Sequence, residues 1–210
     1  MEDMHMHLKK GVTDISIMQK YVEKCKEMKL NRVLFLDHGN KMFPKHTPVL
    51  NEPQVIDKFF ENIKIIKENN PDIEINAGIE SDFSYNEEFK EKEIEILRSY
   101  PFDYVIGSVH GMEKANYIDY LQANIDMIKT YPINIIGHLK LRKEYEQYKE
   151  KIEEIVKLAT EKKLMFDINT SDRSRWNIQQ LEYMLNLFKK YGTRYTVGSD
   201  AHNIDEIGYH

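Results

Sequence analysis

The nine residues FDYVIGSVH, residues 102–110, pack aromatic and branched side chains into one run that ends in a histidine. Val, Ile, Tyr and Phe suit the extended chain. The run is too continuous for a strand with one wet face, so it reads as a strand buried on both sides. Six other runs share this character: Asp3–Leu8, Arg32–Asp37, Ile73–Glu80, Ile133–His138, Leu164–Asn169 and Arg194–Asp200.

Between these runs the apolar spacing changes from strand-like to helical. Ile17, Tyr21, Cys25 and Met28 share a face, as do Val55, Phe59, Ile63 and Ile66. The pattern recurs with Tyr117, Leu121, Ile125 and Ile128, with Tyr148, Ile152, Ile155 and Ala159, and with Leu181, Met184, Phe188 and Tyr191. Residues 86–99, with Phe89, Ile94 and Leu97, give a weaker sixth stripe. Strands alternating with helices imply parallel strands joined by crossovers, hence an α/β protein. Seven units in 210 residues suggest a closed or distorted barrel, with an open doubly wound sheet as the alternative. No helix follows the seventh strand. That leaves one flank uncovered, which a longer natural chain or a partner chain in a homo-oligomer would cover.

The length fits a single domain, residues 1–210, with a core that needs no staples. A net charge of −5 argues against reliance on nucleic-acid phosphates. Cys25 is the lone cysteine, which rules out an internal disulfide or a cysteine zinc cluster and fits a reducing cytoplasm. No apolar run approaches the ~20 residues of a membrane span.

The ends of the seven runs carry the chemistry. They deliver His5 and His7, then Asp37 and His38, Glu80, His110, His138, Asn169, and finally Asp200 and His202. In parallel barrels the loops after the strands form one face, where active sites gather. Six of the eight histidines fall at these ends; His46 and His210 do not. The stretch DMHMH, residues 3–7, places two imidazoles on one strand face, although alone it could be an exposed strand or part of a tag. Together the histidines, Glu80 and Asp200 point to a cluster of divalent ions, with Zn²⁺, Fe²⁺ or Mn²⁺ favoured over Ca²⁺ or Mg²⁺. Eight ligands suit two or three ions.

The series DMHMH, LDH (36–38), GIE (78–80), GSVH (107–110), GHL (137–139), INTS (168–171) and GSDAH (198–202) resembles the PHP (polymerase and histidinol phosphatase) superfamily, in particular its histidinol-phosphatase-like branch. The pieces occur in the family's order over nearly the whole chain. The resemblance implies a distorted (β/α)7 TIM-like barrel with a trinuclear metal site at its C-terminal face. It assigns His5, His7, Glu80 and Asp200 to a first ion, with Glu80 bridging to a second ion on His110 and His138. His38 and His202 would hold a third, with Asp14 as the candidate ligand from the first loop.

The implied activity is metal-dependent hydrolysis of a small phosphate monoester such as L-histidinol phosphate. Glu80, Asp200 and His202 would serve catalysis, the latter two by moving a proton. Two departures bear on the substrate: Lys140 stands where family members often have Asp, and Asp172 where they have Gly before an Arg. The Arg position itself is Ser174, flanked by Arg173 and Arg175. Arg173, Arg175 and Lys140 are therefore the candidate phosphate-binding residues, the two arginines being otherwise solvated loop charges. A phosphodiesterase or nuclease, a protein tyrosine phosphatase, or a non-catalytic metal-binding module are the other readings of the same residues.

Overall fold

In the computed structural model, which describes residues 1–39, 50–112 and 115–208, seven strands run parallel in sequence order around a barrel. They are β1 (Glu2–His7), β2 (Arg32–Leu36), β3 (Glu74–Asp82), β4 (Tyr104–Ser108), β5 (Ile135–Ile136), β6 (Met165–Asn169) and β7 (Arg194–Gly198). Helices α1 (Ile15–Glu27), α2 (Pro53–Asn69), α3 (Glu87–Ser99), α4 (Tyr117–Thr130), α5 (Lys149–Glu161) and α6 (Ile178–Tyr191) fill the crossovers. The seam between β7 and β1 is closed just past the last strand. There the His7 N–H donates to the Ala201 carbonyl at 2.9 Å and the Asp200 N–H to the His5 carbonyl at 2.8 Å. The open-sheet alternative is thereby excluded.

Alternation along the strands separates two apolar layers. Met4, Leu34, Leu36, Ile106 and Ile135 fill the barrel interior. The intervening residues, such as Val33, Phe35, Ile75, Ile79 and Val105, pack outward with the helices. Arg32 plugs the lower end, donating to Glu2 at 3.2 Å, Glu74 at 3.1 Å and the Tyr104 hydroxyl at 2.6 Å. The interior above these residues is left to polar groups. On β1, Met4 joins the interior and His5 and His7 reach the rim, a change of phase accommodated by a register shift between Asp3 and Met6.

Two sequence expectations need adjustment. The fifth strand shrinks from Ile133–His138 to a two-residue ladder, flanked by the Asn134 and Gly137 N–H groups, which still donate to the Val105 and Gly107 carbonyls at 2.9 and 2.8 Å. The sixth helical stripe is real, with Asn86 capping α3 through the Phe89 N–H at 3.2 Å, yet its inner face is not the apolar one expected. Phe89 is 52% exposed, whereas Glu93 and Leu97 are buried.

Candidate metal centre

The rim residues converge because strand ends converge in a barrel. From β1, the His5 and His7 Nε2 atoms face each other at 3.2 Å. Both also face Glu80 Oε2, at 3.7 and 3.3 Å, and Asp200 Oδ1, at 3.7 and 3.4 Å. On the other side of the same carboxylate, Glu80 Oε1 lies 3.1 Å from His138 Nε2 and 3.7 Å from His110 Nε2, and those nitrogens are 3.2 Å apart. Two ligands at about 2.0–2.2 Å from one tetrahedral ion stand about 3.3–3.5 Å apart. The two sets of donor atoms therefore have the edge lengths of metal coordination shells, and Glu80 offers one oxygen to each. A third group, His7, His38 and His202, also brings its ligand atoms within 4.8 Å of one another, sharing His7 with the first.

The far side of the rings supports this orientation. His5 Nδ1 meets Asp167 Oδ2 at 2.9 Å, His110 Nδ1 is hydrogen-bonded to Asp82, and His7 Nδ1 lies 3.6 Å from Asp37. A carboxylate at Nδ1 fixes the ring and turns Nε2 inward, the usual support for a metal-bound imidazole. Glu80 is steadied by the Ser108 hydroxyl, which donates to Oε1 at 2.7 Å.

Electrostatics follow the same division. Burial alone would push the His7 and His110 rings down, but Asp200, Asp37 and Glu80 outweigh it at His7 and hold that ring up at about 10. Glu80 and Asp82 likewise hold His110 up at about 9. His5 is raised in the same way by Asp200, Glu80 and Asp167. Burial tends to raise the Glu80 and Asp200 carboxyls, yet the facing imidazoles keep both well below the usual range. Burial and neighbouring His7 push His38 down to about 3 and His202 to about 4, so these two rings are neutral.

The backbone is shaped for this packing. Asp200 has φ +52°, a left-handed conformation that Asp tolerates better than most residues. A Cβ on Gly198 would meet the His5 Cβ at 2.4 Å and Asp167 Oδ1 at 2.8 Å, and one on Gly137 would meet the Ser108 hydroxyl at 2.2 Å. Those two positions are glycine because the barrel wall runs against the ligands and their supports.

The structure brings together His5, His7, His38, Glu80, His110, His138, Asp200 and His202. Asp14 is elsewhere. It is exposed and caps α1, accepting from the Ser16 N–H at 2.9 Å and its hydroxyl at 2.7 Å. Asp–Ile–Ser after a loop is a helix start, and a carboxylate spent on an N-cap is turned away from the barrel axis. The acid behind His7, at its Nδ1, is Asp37. Asp82 and Asp167, absent from the sequence-derived set, carried a usable signal: each stands two residues along its strand from a rim residue, Glu80 or Asn169, and so on the same face. His46 and His210 lie outside the described residues.

The three basic candidates differ. Arg173 Nη2 stands 3.3 Å from His202 Nδ1 and 3.6 Å from Glu206, at the edge of the centre. Arg175 pairs instead with Asp172 at 2.9 Å. Lys140 is close enough for its charge to oppose protonation of His110. Its main chain is clamped by Tyr120 and Tyr117, through 2.9 and 3.0 Å hydrogen bonds. Nearby Arg142 donates to the Ala115 and Met112 carbonyls at 2.7 and 2.8 Å and lies over the Tyr117 and Tyr120 rings, a loop-holding role. Among the described residues no helix is long and apolar enough to cross a membrane.

Comparison with known proteins agrees with this geometry. The PHP domain family matches residues 3–171. A curated histidinol-phosphatase of Lactococcus lactis is 26% identical over 231 aligned positions, covering 95% of this chain and 83% of that protein. A protein named "Probable histidinol-phosphatase" from Clostridium acetobutylicum is 28% identical over 188 residues, covering 73% and 69%. Among solved structures, the Lactococcus lactis histidinol phosphate phosphatase, crystallised with Zn, L-histidinol and phosphate, superposes with a TM-score of 0.77 at 22% identity, over 97% of this chain and 86% of that one.

Proposed function

This chain belongs to the PHP domain family, and from that premise we propose that residues 1–210 form one metal-dependent phosphatase domain that hydrolyses a small phosphate monoester of the histidinol phosphate type. The observation that carries the reading is Glu80, whose two carboxylate oxygens each complete a separate set of imidazole donors. His5, His7, Glu80 and Asp200 would hold one divalent ion, and Glu80, His110 and His138 a second. His38 and His202, with His7, would hold a third if one binds. Zinc fits the donor set and is the ion crystallised with the Lactococcus lactis enzyme; iron or manganese would fit the same nitrogens and oxygens. When bound, such ions supply Lewis-acid stabilisation of phosphoryl oxygens and acidify water.

The chain's own groups do the rest. Arg173, at the rim beside His202, presents a guanidinium that can grip phosphate through two parallel hydrogen bonds. Lys140 adds a second positive charge on the His110 side. Asp200, kept ionised by His5 and His7, would take the proton of the attacking water and return it to the substrate alkoxide as that oxygen's bond to phosphorus breaks. His202, neutral, donates from Nδ1 to the Asp200 main-chain carbonyl at 2.8 Å and so steadies the backbone that carries that ligand. Asp167, Asp37 and Asp82 stand behind the His5, His7 and His110 rings and hold them at their angles.

The decisive experiment combines elemental analysis with phosphate release from histidinol phosphate and a phosphotyrosine peptide, and phenol release from a bis-aryl phosphodiester. The reading expects two or more equivalents of metal and clear preference for the small monoester. Preference for the diester or phosphopeptide would reassign the substrate, and metal binding without turnover on any of them would make the domain a non-catalytic module.

A further inference from the structure

One buried acid lies outside the centre and has no part in the mechanism above. Glu93 projects from the inner face of α3 and is 5% exposed; the other helices bury apolar side chains and a few amides there, Asn62, Asn124 and Gln180, and among the described residues no other helix buries an acid. Its Oε1 accepts the main-chain N–H of Asp82 at 3.2 Å. Asp82 in turn is the hydrogen-bond partner of His110 Nδ1. The contact is closely packed, since a Cβ on Gly39, next to His38, would come within 3.2 Å of the same oxygen. Among the described residues, Glu93 Oε2 and Asp82 Oδ2 are buried without a hydrogen-bond partner, and the Ser81 hydroxyl lies close enough to Glu93 to favour its ionised form slightly.

Such an arrangement is costly as plain packing. A leucine would fill the space without desolvating a carboxyl. What a carboxyl adds is an acceptor aimed at the last residue of β3, where the strand leaves the sheet and its N–H groups need partners. Burial and the adjacent Asp82 push Glu93 up to about 8, so it is a neutral acid at neutral pH and does not compete with Asp82 for the His110 proton.

We propose that Glu93 is a positioning residue for the second ligand group, holding the Asp82 main chain so that Asp82 keeps His110 turned towards Glu80 and His138. The link runs from an outer helix through one strand end to one ligand. It makes no contact with His5, His7 or Asp200, so its effect should be confined to the second group. The inference rests on the metal-centre reading, and its test separates the two.

Glu93→Gln keeps the acceptor oxygen and the neutral charge, whereas Glu93→Leu keeps the bulk and loses the acceptor. Zinc affinity is measured for each by competition with a chromogenic chelator, and the imidazole nitrogens are followed by ¹⁵N NMR in zinc-free protein. The expected result is a second-equivalent affinity weakened ~10-fold or more in the leucine variant, with the first equivalent unchanged and the glutamine variant within about threefold of wild type. The His110 ring signals should move in the leucine variant and stay in place in the glutamine one. If leucine is not accommodated, Glu93→Ala supplies the same comparison. Equal second-site affinity and unmoved His110 signals in the leucine or alanine variant would overturn the proposal, as would an equal loss at both sites. Wild-type protein that takes up fewer than two zinc ions defeats the parent reading instead, and the His110 signals of the zinc-free protein still decide the role of Glu93.

Discussion

Replacing Glu80 by Gln tests the centre at its shared point. The substitution keeps the size of the side chain and leaves an oxygen for the Ser108 hydroxyl, now 2.7 Å from Oε1, but removes the anion. The two ligand groups feel this unequally. The first retains Asp200, 3.4 Å from His7 Nε2, while the second is left with the His110 and His138 imidazoles and no carboxylate. Removing one electrostatic element aimed at the reacting charge typically costs about 2.7–4 kcal/mol, or 10²–10³ in rate. Glu80 serves two groups, so kcat for phosphate release at saturating metal should fall by at least ~10³. Elemental analysis of the same preparation should show the second equivalent lost and the first kept. The zinc-free fold should survive, because Glu80 sits at the rim above the apolar interior. Near-normal turnover with full metal content would refute the reasoning. So would a variant that unfolds whether or not metal is supplied, since Glu80 would then be holding the barrel together.

Arg173→Ala should lower kcat/KM by ~2 to 3 kcal/mol through loss of a charge-assisted phosphate contact, with metal content unchanged. Arg175→Ala should do far less, because that guanidinium pairs with Asp172 whereas Arg173 stands beside His202 of the centre; equal losses in steady-state kinetics would contradict the assignment. Asp167→Asn should weaken the first equivalent of zinc 10–100-fold in chelator competition, the order typical of losing a carboxylate behind a ligating imidazole, and unchanged affinity would deny it that role. Gly198→Ala should destabilise the protein by about 1–3 kcal/mol in urea unfolding, as the added methyl is driven against His5 and Asp167; wild-type stability would mean the seam relaxes freely. Because Glu93 is held at about 8 when folded against an ordinary 4.5, the folded state binds its proton more tightly, so zinc-free stability should decline as pH rises from 4.5 to about 8. Glu93→Gln should flatten that part of the profile, and an unchanged slope would place the titration elsewhere.

The residues most legible from sequence were those whose role repeats with the fold. Each strand is written in branched and aromatic residues, and each ends in a polar group, so the barrel and its convergent rim follow from one pattern applied seven times. What escaped the sequence is what depends on the third dimension. Asp14 reads as a loop carboxylate near His7 until the helix start at Ile15 claims it as a cap. Glu93 reads as one more solvated charge on a charged helix, and Phe89 as core; the rotation of α3 about its axis, set by contact with the β3 end, reverses them. Arg173 and Arg175 are indistinguishable as letters. Only the turn after β6 sets one beside His202 and the other beside Asp172.

The counter-charges explain why ligands are easier to read than their supports. A ligand must be a particular residue type at a strand end, whereas the acid behind it needs only to lie within reach of Nδ1. Asp167 does so from two residues below the rim of β6, Asp82 from two beyond Glu80, and Asp37 from the residue before His38. With Glu80 and Asp200 these make five buried or nearly buried carboxylates facing six imidazoles. In the absence of cations the balance is struck by protons: His5, His7 and His110 are held charged by the carboxylates around them, while His38 and His202, pushed down by burial and by His7, stay neutral. Ligands must shed such protons to bind a metal, so metal loading and proton release are linked at this rim. A fold that needed the histidines only as core residues would have no use for so many buried acids around them, each at the cost of desolvation.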